Sequence, residues 1–338
     1  VKRLLRTLML LFVRLYGYPG IRRATQHIPS RPPQKPRILL VRPDHLGDMI
    51  LVTPVLAALK ERLPEAEITL LVGPWSSEIV ARHPAVTQLI TCPFPGFQRA
   101  PQKPLEPYRL LFKTARQLAA GHYDIALNLR PDFWWGAALL YLARIPRRIG
   151  YAIAPNQTFL SETLPFPVAE HATVSNLRLA SAALVALDQS PLSEPYQPAQ
   201  YPLVFTPRAD EIEQITARLQ AADIQPETPL IVIHAGTGGA VKLWRNEGWA
   251  TLADHLQNGT LFKTTPRIIL TGSPAERPLL TAIAEQMQVA PLLITDATVG
   301  QLAALLKRAQ LVLGVDNGPL HIATAQGTPT LRIFGPTD

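Results

Sequence analysis

Four short clusters in this chain combine charged, hydroxyl-bearing and glycine residues at spacings suited to anion or proton chemistry. They are Pro43-Asp44-His45-Leu46-Gly47-Asp48, HAGTGGAVKLW over His234–Trp244, Thr271-Gly272-Ser273-Pro274-Ala275-Glu276, and Asp316-Asn317-Gly318-Pro319-Leu320-His321. The last is the most informative. Leu311-Val312-Leu313 reads as a buried strand that stops at Gly314, and a helix is expected to start around Asp316–Pro319. A strand running into a helix N-terminus leaves unpaired N–H groups and the positive end of the helix dipole facing outward, which suits a phosphate. Gly318 removes a Cβ that would hold an anion away, Pro319 is tolerated in a first helical turn, and His321 falls one turn after Asn317, on the same side. The plain alternative is an ordinary turn capped by Asp316 or Asn317.

The other clusters carry the same two readings. Asp48 in a first helical turn is either a general base or simply a carboxylate favoured by the dipole. The glycine-rich loop offers backbone amides, the Thr237 hydroxyl and the Lys242 charge to an anion, without the spacing of a Walker A loop, or else is a solvated surface loop. Glu276 can accept ribose hydroxyls or cap its own helix. No Asp-x-Asp, His-x-x-x-His or cysteine pair occurs, so no metal is expected.

All four clusters follow apolar runs that read as strands. Arg37–Val41, Ile68–Val72, Val86–Ile90 and Ile125–Leu129 alternate with helical stretches Met49–Arg62, Trp75–Arg82, Tyr108–Ala120 and Phe133–Ala143, separated at one point by a proline-rich loop, Pro93–Pro107. A second alternation uses strands Leu230–His234, Arg267–Leu270, Leu292–Ile294 and Thr330–Phe334 with helices Trp249–Leu256, Ala275–Met287 and Val299–Arg308. Apolar strands between helices imply α/β architecture with parallel sheets covered on both faces. Residues 145–205 give a weaker pattern, with a helix at Thr173–Leu187, a proline-laden connection and a further helix at Thr206–Ala222. The expected organisation is 1–36 as a helix and linker, 37–190 as the first domain, 191–206 as an interdomain linker and 207–338 as the second domain, with strand C-termini meeting across a shared cleft.

The 338 residues suffice for two domains, and 47% hydrophobic with 17% charged residues suffices for full cores. A net charge of +8 favours anionic partners, but no nucleic-acid-binding motif is present, so nucleic acid is not expected. The lone Cys92 excludes an intrachain disulfide and fits a reducing compartment. Residues 1–30 place Leu4, Leu5, Leu8, Leu11, Phe12 and Leu15 at helical spacing among Lys2, Arg3, Arg6 and Arg14. That apolar run is too short to span a bilayer, and it reads as a basic amphipathic helix able to touch a membrane surface, followed by a proline-rich linker.

Taken together, Gly47-Asp48, the glycine-rich loop with Lys242-x-Trp244, Gly272-x-x-x-Glu276 and Asp316–His321 resemble, over roughly 37–338, the ADP-heptose:lipopolysaccharide heptosyltransferases of glycosyltransferase family 9. The resemblance implies a GT-B fold of two Rossmann-like domains, with the acceptor on the first and the nucleotide sugar on the second. It implies inverting transfer without a metal or other cofactor, from a nucleotide diphosphate sugar such as ADP-heptose to a hydroxyl of a lipid-linked or surface glycan. In that family's terms Asp48 is similar to the catalytic aspartate. Lys242, Asp316, Gly318 and His321 are similar to donor phosphate-binding residues, Thr237 falls where hydroxyls face phosphate, and Glu276 falls at the ribose-binding glutamate. Two departures are Asp44-His45-Leu46, where small hydroxyl residues are common, and Asn317 in place of threonine. The ends at Val1 and Asp338 lead to the expectation of a fragment lacking C-terminal helices. The corresponding location is cytoplasmic, peripheral on the inner face of the cytoplasmic membrane. Competing readings are an epimerase-like sugar-nucleotide enzyme and a nonenzymatic membrane-associated nucleotide-binding protein; a dehydrogenase is disfavoured because no Gly-x-Gly-x-x-Gly follows the first strand.

Overall fold

The computed structural model describes residues 2–29, 31–98, 103, 105–167, 169–259 and 262–335, with backbone alone for 2–5. The side chains of Leu4 and Leu5 in the expected apolar repeat, part of the proline-rich loop 93–107 and the chain end 336–338 lie outside the described residues. Two compact units are formed, Val1–Pro202 and Leu203–Asp338.

The first unit opens with α1 (Lys2–Gln26) and continues β1 (Arg37–Arg42), α2 (Leu46–Ile50), α3 (Thr53–Arg62), β2 (Glu67–Val72), α4 (Ser77–Ala81), β3 (Gln88–Thr91), α5 (Glu106–Ala119), β4 (Ile125–Asn128), α6 (Trp134–Leu142), β5 (Arg147–Tyr151), β6 (Glu162–Leu164) and α7 (Ala172–Ala186). Its strands pair in parallel in the order β3-β2-β1-β4-β5-β6. Ile38, Leu39, Leu40 and Val41 of central β1 are fully buried, as expected of a parallel strand covered on both faces. The strand order reverses between β1 and β4, so their C-terminal ends form the crevice where α/β sheets bind ligands. Helix α1 packs on α6 through Val13, Gly17 and Ile21. A Cβ on Gly17 would lie 2.4 Å from the Tyr141 ring, so glycine is what lets the two helices approach.

The second unit runs α8 (Ala209–Gln220), β7 (Leu230–His234), α9 (Asn246–Asn258), β8 (Arg267–Thr271), α10 (Arg277–Ala284), β9 (Leu292–Ile294), α11 (Val299–Arg308), β10 (Leu311–Val315), α12 (Gly318–Ala325) and β11 (Thr330–Ile333). The parallel order β11-β10-β7-β8-β9 reverses between β7 and β10, and again two expected clusters follow the strands at the reversal.

Several local expectations are corrected. The stretch 49–62 is two helices, because Pro54 has no N–H and the Thr53 hydroxyl bonds the Ile50 carbonyl at 2.8 Å instead. The stretch 145–164 contains two strands. β5 is disguised by Arg147 and Arg148; the latter is buried with its guanidinium donating to the carbonyls of Ile145, Pro146 and Phe159. The stretch 275–287 begins as a 3-10 turn over Pro274–Glu276 before α10. Strand β10 does not stop at Gly314 but continues to Val315; a Cβ at Gly314 would lie 2.6 Å from both the His234 carbonyl oxygen and Leu320 Cδ1. That glycine serves close approach rather than termination. Helix α1 is not amphipathic in the usual sense, since apolar side chains lie on its outward face as well as its packed face.

His234, at the end of β7, is buried with Nδ1 3.0 Å from Thr271 Oγ1. Burial pushes its pKa from 6.5 down to about 4, only partly opposed by the Glu276 charge. A folded-state value below the unfolded one means that the stabilisation is complete above pH 6.5 and is lost as pH falls towards 4. The loss amounts to about 3 kcal/mol at completion. Thermal melts between pH 7.5 and pH 4 are expected to show this decline in the second unit's transition and to show it flattened in His234→Asn; parallel pH profiles for the two proteins would contradict the assignment.

Candidate active site

In the first unit the end of β1 delivers Arg42 inward and Asp44 and Asp48 just beyond it. Arg42 is buried, with Nη1 donating to the Leu129 carbonyl at 2.8 Å and to Asn176 Oδ1 at 3.3 Å. Its Nε lies 2.6 Å from Asp44 Oδ2 and its Nη2 3.4 Å from Asp48 Oδ1. Asp44 is buried between Arg42 and Arg130, which follows β4 and also holds Asp132 at 2.8 Å. Burial still raises the Asp44 pKa despite both cations, with the neighbouring Asp48 charge acting in the same direction. For Arg130, burial works against the charge, but Asp44 and Asp132 outweigh it and the pKa is raised.

Asp48, in the first turn of α2, keeps about half its side chain in solvent (48% exposed). The loop that carries it is pinned from the end of β2. Trp75 Nε1 donates to the carbonyls of Pro43 and Asp44 at 3.0 and 3.1 Å, and Ser76 Oγ donates to Asp44 at 2.9 Å. Beside it His45, Trp75, Phe97 and Phe133 form a run of ring contacts, and the Arg130 guanidinium lies 5.1 Å from the Phe97 centroid. A cavity of about 460 Å³ opens here, lined by Phe97, Tyr108, Arg130, Asp132 and Trp134. Aromatic faces next to a paired arginine and carboxylates suit a polyhydroxylated ligand with anionic substituents.

In the second unit the clusters after β7, β8 and β10 come together. Lys242 Nζ is 2.5 Å from Asp316 Oδ2, with both side chains roughly three-quarters buried (29% and 25% exposed). Thr237 Oγ1 reaches the Asp316 carbonyl at 3.5 Å. Glu276 lies against the same loop. Its Oε2 accepts from the Ser273 amide and hydroxyl at 2.7 and 2.8 Å, so it does cap its own turn. Its Oε1 abuts Gly236, where a Cβ would sit 2.1 Å away. Any side chain at 236 would displace the carboxylate. Trp244 closes the loop by packing at 5.0 Å, edge on, against Trp249 of α9.

Asn317 takes the capping role rather than a ligand-facing one. Its Oδ1 accepts from Leu320 N at 3.3 Å, and its Nδ2 donates to the carbonyls of Gly236 at 2.9 Å and His234 at 3.2 Å. With Leu320 capped and Pro319 lacking an N–H, Gly318 supplies the first-turn amide left for an anion. His321 lies with both ring nitrogens 3.3–3.4 Å from Arg332 Nη1. Arg332 is half-buried on β11; burial lowers its pKa, and the Asp316 charge opposes that shift.

The four clusters therefore assemble as two constellations, Asp48 in the first unit and Thr237, Lys242, Glu276, Asp316, Asn317, Gly318 and His321 in the second. Sequence reading named Asp44 only as a member of its cluster, without a role, and missed Arg42, Arg130 and Arg332. The available signal was a charged residue inside or just past an apolar strand, as in Val41-Arg42 and Leu331-Arg332-Ile333.

Comparison with known proteins identifies the family and the fold. Residues 111–338 match the family model described as glycosyltransferase family 9 (heptosyltransferase). Lipopolysaccharide heptosyltransferase 3 of Escherichia coli is 28% identical over 300 residues, covering 86% of this chain and 81% of its own. The crystal structure of the glycosyl transferase family 9 from Veillonella parvula superimposes with a TM-score of 0.75 at 22% identity, covering 90% of this chain and 82% of its own. The structure of E. coli ADP-heptose lps heptosyltransferase II gives 0.69 at 19% identity, covering 89% and 86%. These structures share the two parallel-sheet units of the GT-B type. With the family model spanning most of the chain and its matched region including every donor-side cluster described above, the protein belongs to glycosyltransferase family 9.

Proposed function

We propose that this protein is an inverting, metal-independent glycosyltransferase that moves a heptose or related sugar from a nucleotide diphosphate sugar, ADP-heptose first among them, to a hydroxyl of a lipopolysaccharide core or other surface glycan. The observation that carries the reading is the Lys242–Asp316 pair at the N-terminus of α12, beside Glu276 and a loop with open glycines at Gly238 and Gly239. The names of the E. coli relative and of the ADP-heptose-using structure supply the donor and acceptor classes.

In the forward step the acceptor hydroxyl oxygen forms a bond to the anomeric carbon as the bond from that carbon to the diphosphate oxygen breaks. The attacking oxygen's proton passes to the Asp48 carboxylate, and the bonding electrons leave with the nucleoside diphosphate. A single displacement from the opposite face inverts the anomeric centre. The departing diphosphate gains negative charge, which Lys242, the Gly318 amide and the dipole of α12 are positioned to hold without reorganisation. Asp316 orients Lys242, Thr237 offers a hydroxyl to the phosphates, Glu276, with its Oε1 against Gly236, accepts from the ribose hydroxyls, and His321, backed by Arg332, completes the rim. The aromatic cavity beside Arg130 receives the acceptor. A location at the cytoplasmic face of the membrane belongs to the same reading.

Two outcomes are expected. Asp48→Asn lowers kcat by roughly 100- to 10,000-fold, while the Kd for ADP measured by calorimetry stays within a factor of two or so; near-normal turnover would remove Asp48 from the mechanism. Lys242→Met weakens ADP binding by about tenfold or more, consistent with loss of a charge-assisted phosphate contact, and an unchanged Kd would show that the phosphates lie elsewhere.

A further inference from the structure

The outward face of α1 is a feature of the first unit that the transfer chemistry does not use. Viewed down the helix, Val13, Gly17 and Ile21 face α6, whereas Leu8, Leu11, Phe12, Leu15 and Tyr18 recur at three- and four-residue spacing on the opposite side. Leu15 is 65% exposed, and the other four are each more than half exposed. A helix with apolar side chains on opposite sides is normally covered on both; this one, with arginines between the apolar groups, is covered on one side only. The patch continues onto α5, where Phe112 meets Phe12 at 6.2 Å and Tyr16 at 5.4 Å, both edge on.

Charge says what covers it. The first 43 residues contain ten of the chain's 33 Lys and Arg and none of its 25 Asp and Glu, so the whole positive excess comes from this segment and the remainder is slightly acidic. Arg14, Arg22 and Arg23 are exposed on α1, and Arg109 and Arg116 are exposed on α5 along the same stripe as Phe112. Glu106 is the one acidic side chain on α5, and it caps the Lys103 amide. A second copy docking by this face would bring two such cationic surfaces together, at an electrostatic cost. An anionic bilayer offers hydrocarbon to the leucines and lipid phosphates to the arginines. Among the described residues no helix is long and apolar enough to cross a membrane, so α1 would lie in the interface rather than span it.

We propose that α1 is an interfacial anchor that seats the first unit on an anionic phospholipid surface, with Leu8, Leu11, Phe12, Leu15 and Tyr18 immersed and Arg14, Arg22 and Arg23 at the headgroups. The docking also sets which edge of the unit meets the lipid. Arg6 lies over Trp134 at 5.5 Å, Gly17 against Tyr141 and Gly20 against Arg144, so α1 runs parallel to α6. Helix α6 starts directly after the loop that carries Arg130, so the N-terminal end of α1 reaches the strand-end edge of the sheet, where Asp48 and Arg130 lie. Membrane seating stands on these observations alone; that the acceptor is delivered from the same bilayer rests on the transfer reading above.

The test is flotation of the full chain with phosphatidylcholine vesicles, with and without phosphatidylglycerol. Flotation is expected with the anionic vesicles and is expected to weaken as salt is raised. Leu11→Glu/Leu15→Glu should lower the partition coefficient by at least roughly tenfold, since each substitution removes buried apolar surface and adds like charge to an anionic interface. Val289→Glu, an exposed apolar site in the second unit, should not change it. Both side chains replaced in the double variant point to solvent, so its melting curve and ADP affinity should match those of the parent. The proposal is overturned if the parent fails to float, if the double variant floats equally well, or if sedimentation shows a dimer that the double variant splits while no vesicle binding occurs. A chain that floats as expected but does not bind ADP would count against the transfer reading and leave the anchor standing.

Discussion

A parallel strand buried on both faces has nowhere along its length to carry polar chemistry. In this protein β1 and β7 are such strands; past the partly exposed Arg37 that opens β1, each becomes polar only at its C-terminal end, at Arg42 in one unit and His234 in the other. Strand order then decides which ends matter. At a reversal, the loops leaving two neighbouring strands diverge to opposite sides and open a crevice. Asp48 and Arg130 leave the pair β1 and β4, while Lys242 and Asp316 leave β7 and β10. The chemistry is placed by the sheets before any individual side chain is considered.

Once collected there, charges must be kept from spoiling the fold. Burying an ion without a partner is costly, and the arrangement answers this by alternation. Arg42 sits between Asp44, Asp48 and two neutral acceptors, and Arg130 sits between Asp44 and Asp132. Lys242 and Arg332 both act on Asp316. The compensation is incomplete at Asp44, where burial still outweighs two cations in setting the proton affinity. Asp48, four residues on, keeps about half its side chain in solvent, so the two carboxylates sit in different surroundings.

Much of this was legible in the sequence. Strands such as Leu230–His234 and Leu292–Ile294 could be read to the residue, because a short apolar run that opens directly after a proline and ends at the first polar residue has few other outcomes. The clusters after β1, β7, β8 and β10 stood out because each interrupts such a run with charged, hydroxyl-bearing and glycine residues. What could not be read was pairing at a distance. Arg42 meets Asn176, and Arg130 meets Asp44, across 134 and 86 positions of chain, and only the closed sheet brings them together. One glycine and one strand were also misjudged. Gly314 looked like a strand terminator because its role, admitting the His234 carbonyl, belongs to the neighbouring strand. β5 escaped notice because the three carbonyls that satisfy Arg148 come from segments with no pattern of their own.

The carboxamide of Asn317 touches three separate stretches of backbone: the first turn of α12, the end of β7 and the start of the glycine loop. Those stretches cannot drift independently. A receptor whose walls are already fastened to one another surrenders little conformational freedom when its guest arrives, so more of the intrinsic attraction appears as measured affinity. The same fastening gives up adaptability. A guest of a different shape would have to break several bonds at once rather than bend one loop, and selectivity would then follow from rigidity as much as from contacts.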